Sequence, residues 1–166
     1  MRYFTRGWAN GEFTDEEYDK IREAYWHRVR ELSPRFSPAV AQLANEIELH
    51  DAIIEIARWS PQSRTLTLLL VCGDLQRGYS AVEIRYSGVE LGKRSVDVLR
   101  SRAKDRESQV LYDEVDFDEE GQLVHRLLFR PEGEISIWFR ELTIHSSHRA
   151  DRRVQMVPFF IEEEPA

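Results

Sequence analysis

A single cysteine in 166 residues excludes an internal disulfide and any zinc site built on several cysteines. Lysine is also scarce, three against twenty arginines. The arginines are scattered and mostly lie near carboxylates. They therefore read as codon preference and ion pairing; a phosphate-recognition patch is the sharper alternative. No apolar run reaches the roughly 18 residues that a membrane-crossing helix needs. The start, Met1 to Trp8, lacks the apolar core of a secretory signal, so a cytoplasmic protein with no membrane partner is expected. There is no glycine-rich phosphate loop and no Gly-x-Ser-x-Gly nucleophile elbow. Basic residues are outnumbered 30 to 23, giving a net charge of −7. An acidic chain repels phosphates, so no nucleic-acid partner is expected.

The hydrophobic content of 42% is enough for one ordinary core, and the length suits one domain. The clearest local signal is a helix start at Thr14. Glu17 lies at the capping-box spacing, Phe13 and Tyr18 can form a hydrophobic staple, and Asp15, Glu16 and Glu17 suit the positive end of a helix dipole. Tyr18, Ile21, Tyr25, Val29 and Leu32 then recur on one face, which predicts a helix from Asp15 to Leu32. Ser37-Pro38 opens a second helix, with Val40, Leu43 and Ile47 as its stripe, ending near Glu48.

From Leu49 the chain becomes rich in Ile, Leu, Val and Thr. Strands are expected at Leu49 to Trp59, Arg64 to Cys72 and Tyr79 to Tyr86, then a short helix at Ser95 to Lys104. Strands at Val110 to Phe117, Leu123 to Arg130 and Glu134 to Ile144 complete the set. Short connections favour antiparallel pairing, and helices gathered at the N-terminus favour two layers. The expected fold is α+β: two N-terminal helices packed on a mainly antiparallel sheet of about six strands. Residues 1–145 form the domain. Residues 146–166 read as an extension with an edge strand, which Pro158 would interrupt, and an acidic tail.

Assuming a four-residue loop after Phe117 and a three-residue loop after Arg130, the hairpins bring two polar groups together. Glu114 would face His125 at the margin of the core face, either as a carboxylate orienting a general base or metal ligand, or as a cross-strand structural pair. Asp113, Arg126 and Trp138 would share the wetter face, either as a ligand patch with arginine over the indole, or as a salt bridge with stacking. Asp113, Glu114, Arg126, His125 and Trp138 are therefore the candidate binding residues. No nucleophile, metal set or cofactor motif completes them, so no catalytic residue, metal or cofactor is assigned. His27, His145 and His148 lack metal spacing, and Cys72 behaves as a small hydrophobe. His50 and Asp51, if they open a strand, point to opposite faces. The aromatic cluster Tyr3, Phe4 and Trp8 either packs on its own domain or offers a ligand platform.

Several short motifs occur in order. They are Arg2-Tyr3-Phe4-Thr5, Gly7-Trp8, Leu49-His50-Asp51-Ala52, Cys72-Gly73-Asp74-Leu75-Gln76 with Gly78-Tyr79, Leu111-Tyr112-Asp113-Glu114-Val115 and Pro131-Glu132-Gly133-Glu134. Together, from about Met1 to Ile144, they resemble a family of bacterial proteins of unknown function, which supplies no activity to transfer. The His-Asp opening before a hairpin also resembles small immunity-type domains that bind toxins. The expected function is thus an interaction module without catalysis, with an immunity-type binder of a basic protein as one form. Its acidic stretch Asp113 to Glu120 is the expected contact. The alternative is a metal-assisted hydrolase using His125 and Glu114.

Overall fold

The computed structural model describes residues 1–154 and the backbone of 160–161. Four helices and eight strands follow in order: α1 (Arg6–Ala9), α2 (Asp15–Leu32), α3 (Pro38–Asn45), β1 (Ile53–Ser60), β2 (Thr65–Asp74), β3 (Gly78–Ser87), α4 (Lys93–Arg102), β4 (Gln109–Phe117), β5 (Leu123–Arg130), β6 (Glu134–Phe139), β7 (Glu141–Arg149) and β8 (Phe160–Ile161). The fold is α+β, but with two sheets rather than one. The first has the order β7-β3-β2-β1-β8 and the second β4-β5-β6. All pairings are antiparallel except the two-residue β8, which runs parallel to β1.

Helix α2 begins where the capping signals place it. The Thr14 hydroxyl accepts the Glu17 amide, and the Glu17 carboxylate accepts the Thr14 amide at 2.8 Å. Those bonds to Thr14 hold the Glu17 carboxyl below its ordinary pKa. Helix α3 starts on the Ser37 cap and ends at Asn45, three residues before the sequence expectation.

Three further departures from expectation shape the fold. Strand β1 starts at Ile53, because Asp51 adopts a left-handed backbone with φ 61° and Leu49–Ala52 forms a turn. That turn is tied to β4: the Asp51 amide donates to the Val110 carbonyl, and the Val110 amide donates to the Ala52 carbonyl. The expected strand from Glu134 to Ile144 is two strands in different sheets. The chain crosses at Arg140, whose amide donates to the Ser87 carbonyl. Gly88 makes the crossing possible: its φ is 64°, and a Cβ there would lie 2.7 Å from the Arg140 side chain. Strand β7 then continues to Arg149, past the boundary expected at His145. The acidic tail and Pro158 lie outside the described residues.

One core joins the two sheets. Leu66, Leu68, Leu70 and Ile84 of the first sheet and Leu127, Ile137 and Phe139 of the second are all buried. Tyr86 of β3 meets Phe139 of β6 edge-on at 5.4 Å. Helix α2 covers the outer edge of β4, where the Val115 amide donates to the Tyr25 hydroxyl.

Candidate functional site

The β4–β5 hairpin decides which polar groups meet. Asp118 closes its turn. Its carboxylate accepts the Glu120 and Gln122 amides, and its own amide donates to the Gln122 carbonyl. This sets Phe117 opposite Leu123 rather than Gln122, and a bulge at Leu111 follows. The register is therefore one residue away from the expected one, and a one-residue slip moves every side chain to the other face. His125 pairs with Val115 and Arg126 with Glu114. Asp113 and His125 share one face, while Glu114 and Arg126 share the other. The expected Glu114–His125 pair does not exist. The β5–β6 register is displaced by two residues, Leu127 facing Ile135 and Val124 facing Trp138, so its faces are kept.

Fully buried Glu114 is an anchor for the N-terminal segment. Its Oε1 accepts the Tyr3 amide at 2.6 Å and the Phe4 amide at 2.7 Å, and the Arg2 amide donates to both oxygens. Buried Asp116 beside it accepts from Arg28 Nε at 3.0 Å and Arg2 Nη1 at 3.2 Å. Arg126 Nη1 lies 3.9 Å from Glu114 and 4.0 Å from Asp116 without a hydrogen bond, so it balances charge rather than holding either group. These acids are occupied by backbone amides and arginines. That leaves Glu119 and Glu120 as the exposed members of the acidic stretch expected to meet a partner. Tyr3, Phe4 and Trp8 pack against the domain through this anchor, with Phe4 and Trp8 rings 5.1 Å apart.

On the opposite face, His125 is buried and bonded at both ring nitrogens. Tyr86 Oη is 2.7 Å from Nδ1 and Asp113 Oδ2 is 3.1 Å from Nε2. A neutral ring satisfies every group: the Tyr86 hydroxyl donates to Nδ1, and Nε2–H donates to the carboxylate. Burial, and after it the charge of Asp113, raises the Tyr86 hydroxyl well above its ordinary pKa. The same two causes push the Cys72 thiol up to about 12. Burial first and Asp113 second also raise the Tyr25 hydroxyl. Asp113 is thus the charge that the surrounding interior senses. Among the described residues its carboxylate is hydrogen-bonded to the His125 ring, and no arginine or lysine reaches it.

Asp113 reaches a cleft of about 430 Å³ between α2, α3 and β4. Tyr25, Trp26, Leu43 and Tyr112 form its apolar walls, and Glu46, Glu48 and His50 lie at its rim. Trp26 is 39% exposed, one of two large exposed hydrophobics among the described residues. Its ring lies 5.2 Å from that of Tyr25. The Leu49–Ala52 turn brings His50 Nδ1 within 3.2 Å of Asp51 Oδ2, where a strand would have separated them.

The second expected patch is dispersed. Asp113 faces the cleft, Arg126 lies under the N-terminal segment, and Trp138 lies beside Glu90, with which it exchanges backbone hydrogen bonds. The guanidinium–ring contacts among the described residues are Arg35 over Phe117 and Arg2 over Tyr3, not Arg126 over Trp138. Tyr86 was not legible as a site residue, because it reaches His125 from 39 positions away in the other sheet. Trp26 falls outside the Tyr18, Ile21, Tyr25, Val29, Leu32 stripe of α2, and no spacing marks it as a site residue. Among the described residues, no three His, Cys, Asp or Glu side chains are grouped to hold a metal ion. Comparisons with protein-family models, curated proteins and solved structures find no match to this chain.

Proposed function

We propose that this chain is a binding module that takes a cationic side chain of a basic protein partner into the cleft between α2, α3 and β4. The observation that carries this reading is the Asp113 carboxylate. It is fixed by His125 behind aromatic walls and has no lysine or arginine of its own within ion-pairing distance among the described residues. Such a group attracts an ammonium or guanidinium, and Trp26, Tyr25 and Tyr112 offer ring faces on which that cation and its aliphatic stem can lie. Glu46 at the rim strengthens the attraction and would speed encounter with a positively charged surface, whereas Glu48 is already paired with Arg77. An immunity-type role, capturing a basic toxin, is the form of this function that the net charge of −7 suits. Catalysis is no part of the reading, since His125 has both nitrogens engaged and Glu114 lies on the opposite face.

The test is titration with oligo-arginine and oligo-glutamate peptides of equal length, followed through the Trp26 indole resonance by NMR. Oligo-arginine should shift that resonance and oligo-glutamate should not. Asp113→Asn should weaken binding by about tenfold or more, about 1.4 kcal/mol. Trp138→Ala should leave it unchanged. Equal binding by Asp113→Asn, or shifts confined to other surfaces, would overturn the assignment.

A further inference from the structure

The sheet edges are treated unequally. On the first sheet, β8 pairs with the outer side of β1. On the second, the Val110 backbone bonds to Asp51 and Ala52 and the Val115 amide to Tyr25, which closes β4. Glu90 bridges to Trp138 and caps β6. Strand β7 pairs with β3 on one side and is packed by helix α3, and among the described residues its other side meets no strand. Its pairing with β3 runs through nine consecutive positions, Glu141 to Arg149, with no shift in register. Proline, lysine, a bulge or an inward charge commonly blunts such an edge. Proline, lysine and bulge are all absent from β7, and Glu141, Thr143, His145, Ser146, Ser147 and His148 are exposed.

The sequence of this edge is complementary to itself when read antiparallel. Centred on His145, Glu141 falls opposite the second copy's Arg149, Thr143 opposite its Ser147, and His145 opposite its His145. On the other side of the strand, Leu142 meets His148 and Ile144 meets Ser146. Opposite charges and paired hydroxyls directly across a ladder are favourable, and all nine residues are used. A register two residues away leaves both charges without partners. Glu141 has no ion pair among the described residues, and Arg149, whose Nη1 and Nη2 bind Glu55 and the Arg153 carbonyl, is the cation it would face. We infer that the exposed edge of β7 pairs with β7 of a second copy of this chain about a two-fold axis at His145. The two first sheets then become one continuous sheet. This goes beyond the cleft reading and does not depend on it.

A nine-residue strand pair is at the small end of specific interfaces, so the dimer should be concentration-dependent. Light scattering after size exclusion should show mass rising from monomer to dimer between about 10 μM and about 1 mM, the range for a contact of that size. Thr143→Lys with Ser147→Lys sets like charges opposite each other at exposed positions, and should hold the chain monomeric with an unchanged circular dichroism spectrum. The register is tested by cysteine. Opposed Cα atoms in an antiparallel pair are about 4.5–5.5 Å apart, within disulfide range. His145→Cys should therefore oxidise to a linked dimer. Thr143→Cys alone, about 13 Å from its copy, should not, whereas Thr143→Cys with Ser147→Cys should. Cys72 is buried and will not compete. A native chain that stays monomeric at about 1 mM, a dimer indifferent to the lysine pair, or Thr143→Cys linking as readily as His145→Cys would each overturn the proposal.

Discussion

Replacing Glu114 by glutamine keeps the size and shape of a fully buried side chain and changes only its charge and one oxygen. The native carboxylate accepts three backbone amides, those of Arg2, Tyr3 and Phe4, with the closest at 2.6 Å. Hydrogen bonds to a charged group contribute about 1.5–3 kcal/mol each, and neutral ones about 1 kcal/mol. In Glu114→Gln the remaining oxygen can still accept from Tyr3 and Phe4 as neutral bonds. The new NH₂ then faces the Arg2 amide, donor against donor. Arg126, 3.9 Å away, also loses one of its two carboxylates. The expected loss is about 3–5 kcal/mol, the range for breaking a buried charged group away from its partners. For a domain of this size that lowers the melting midpoint by about 10 °C. Urea unfolding should show a lower midpoint at unchanged slope, and hydrogen exchange should show the Tyr3 and Phe4 amides losing protection. A loss below about 1 kcal/mol with those amides still protected would refute the account, because three charge-assisted bonds could not then be what holds the segment.

Thr14→Ala should cost about 1 kcal/mol in the same assay, the usual loss for a capping hydroxyl. Tyr86→Phe removes the donor to His125 Nδ1 inside the core and should cost about 1–3 kcal/mol, while oligo-arginine binding at the cleft persists. Cys72 should resist thiol reagents at pH 8 until the chain is unfolded, since burial and Asp113 push its thiol up to about 12. The sign of the linked pH effect follows. The folded value lies above the ordinary value of 9.0, so this stabilisation is complete below pH 9.0 and is lost as pH rises toward about 12. Urea midpoints should therefore fall through that window, and less steeply in Cys72→Ala.

What could be read from sequence was local. Helix α2 declared itself because its cap, staple and apolar face all lie within one short stretch. The hairpins declared themselves because Gly121 and Gly133 sit where left-handed backbone completes a turn. The site was lost to one residue of register. Asp118 can close its loop on Gln122 or one residue earlier, and hydrophobic alternation does not separate the two when both faces of the sheet are covered. That single step exchanges Asp113 for Glu114 beside His125. The crossing at Arg140 left a trace that was easy to pass over. Apolar residues alternate through Ile135, Ile137 and Phe139 and resume one position out of step at Leu142 and Ile144, while the partner that accompanies the break, Gly88, lies some fifty residues away. Tyr86 and Trp26 gain meaning only when distant elements meet, which no spacing along the chain encodes.

The crossing at Arg140 has a consequence for the order in which this chain can fold. β1 to β3 and β4 to β6 are each meanders of near neighbours, closed by short turns, so each can form early at small entropic cost. β7 is different. It follows β6 after one residue, yet its pairing partner β3 is separated from it by α4 and the whole second meander. Its ladder can therefore form only after both meanders have been brought together. The same step traps Tyr86 against His125 and commits α4 to its place against β6. Docking of β7 is thus the natural candidate for the rate-limiting event. Until it happens, the unpaired edge of β3 is open to any other strand that reaches it.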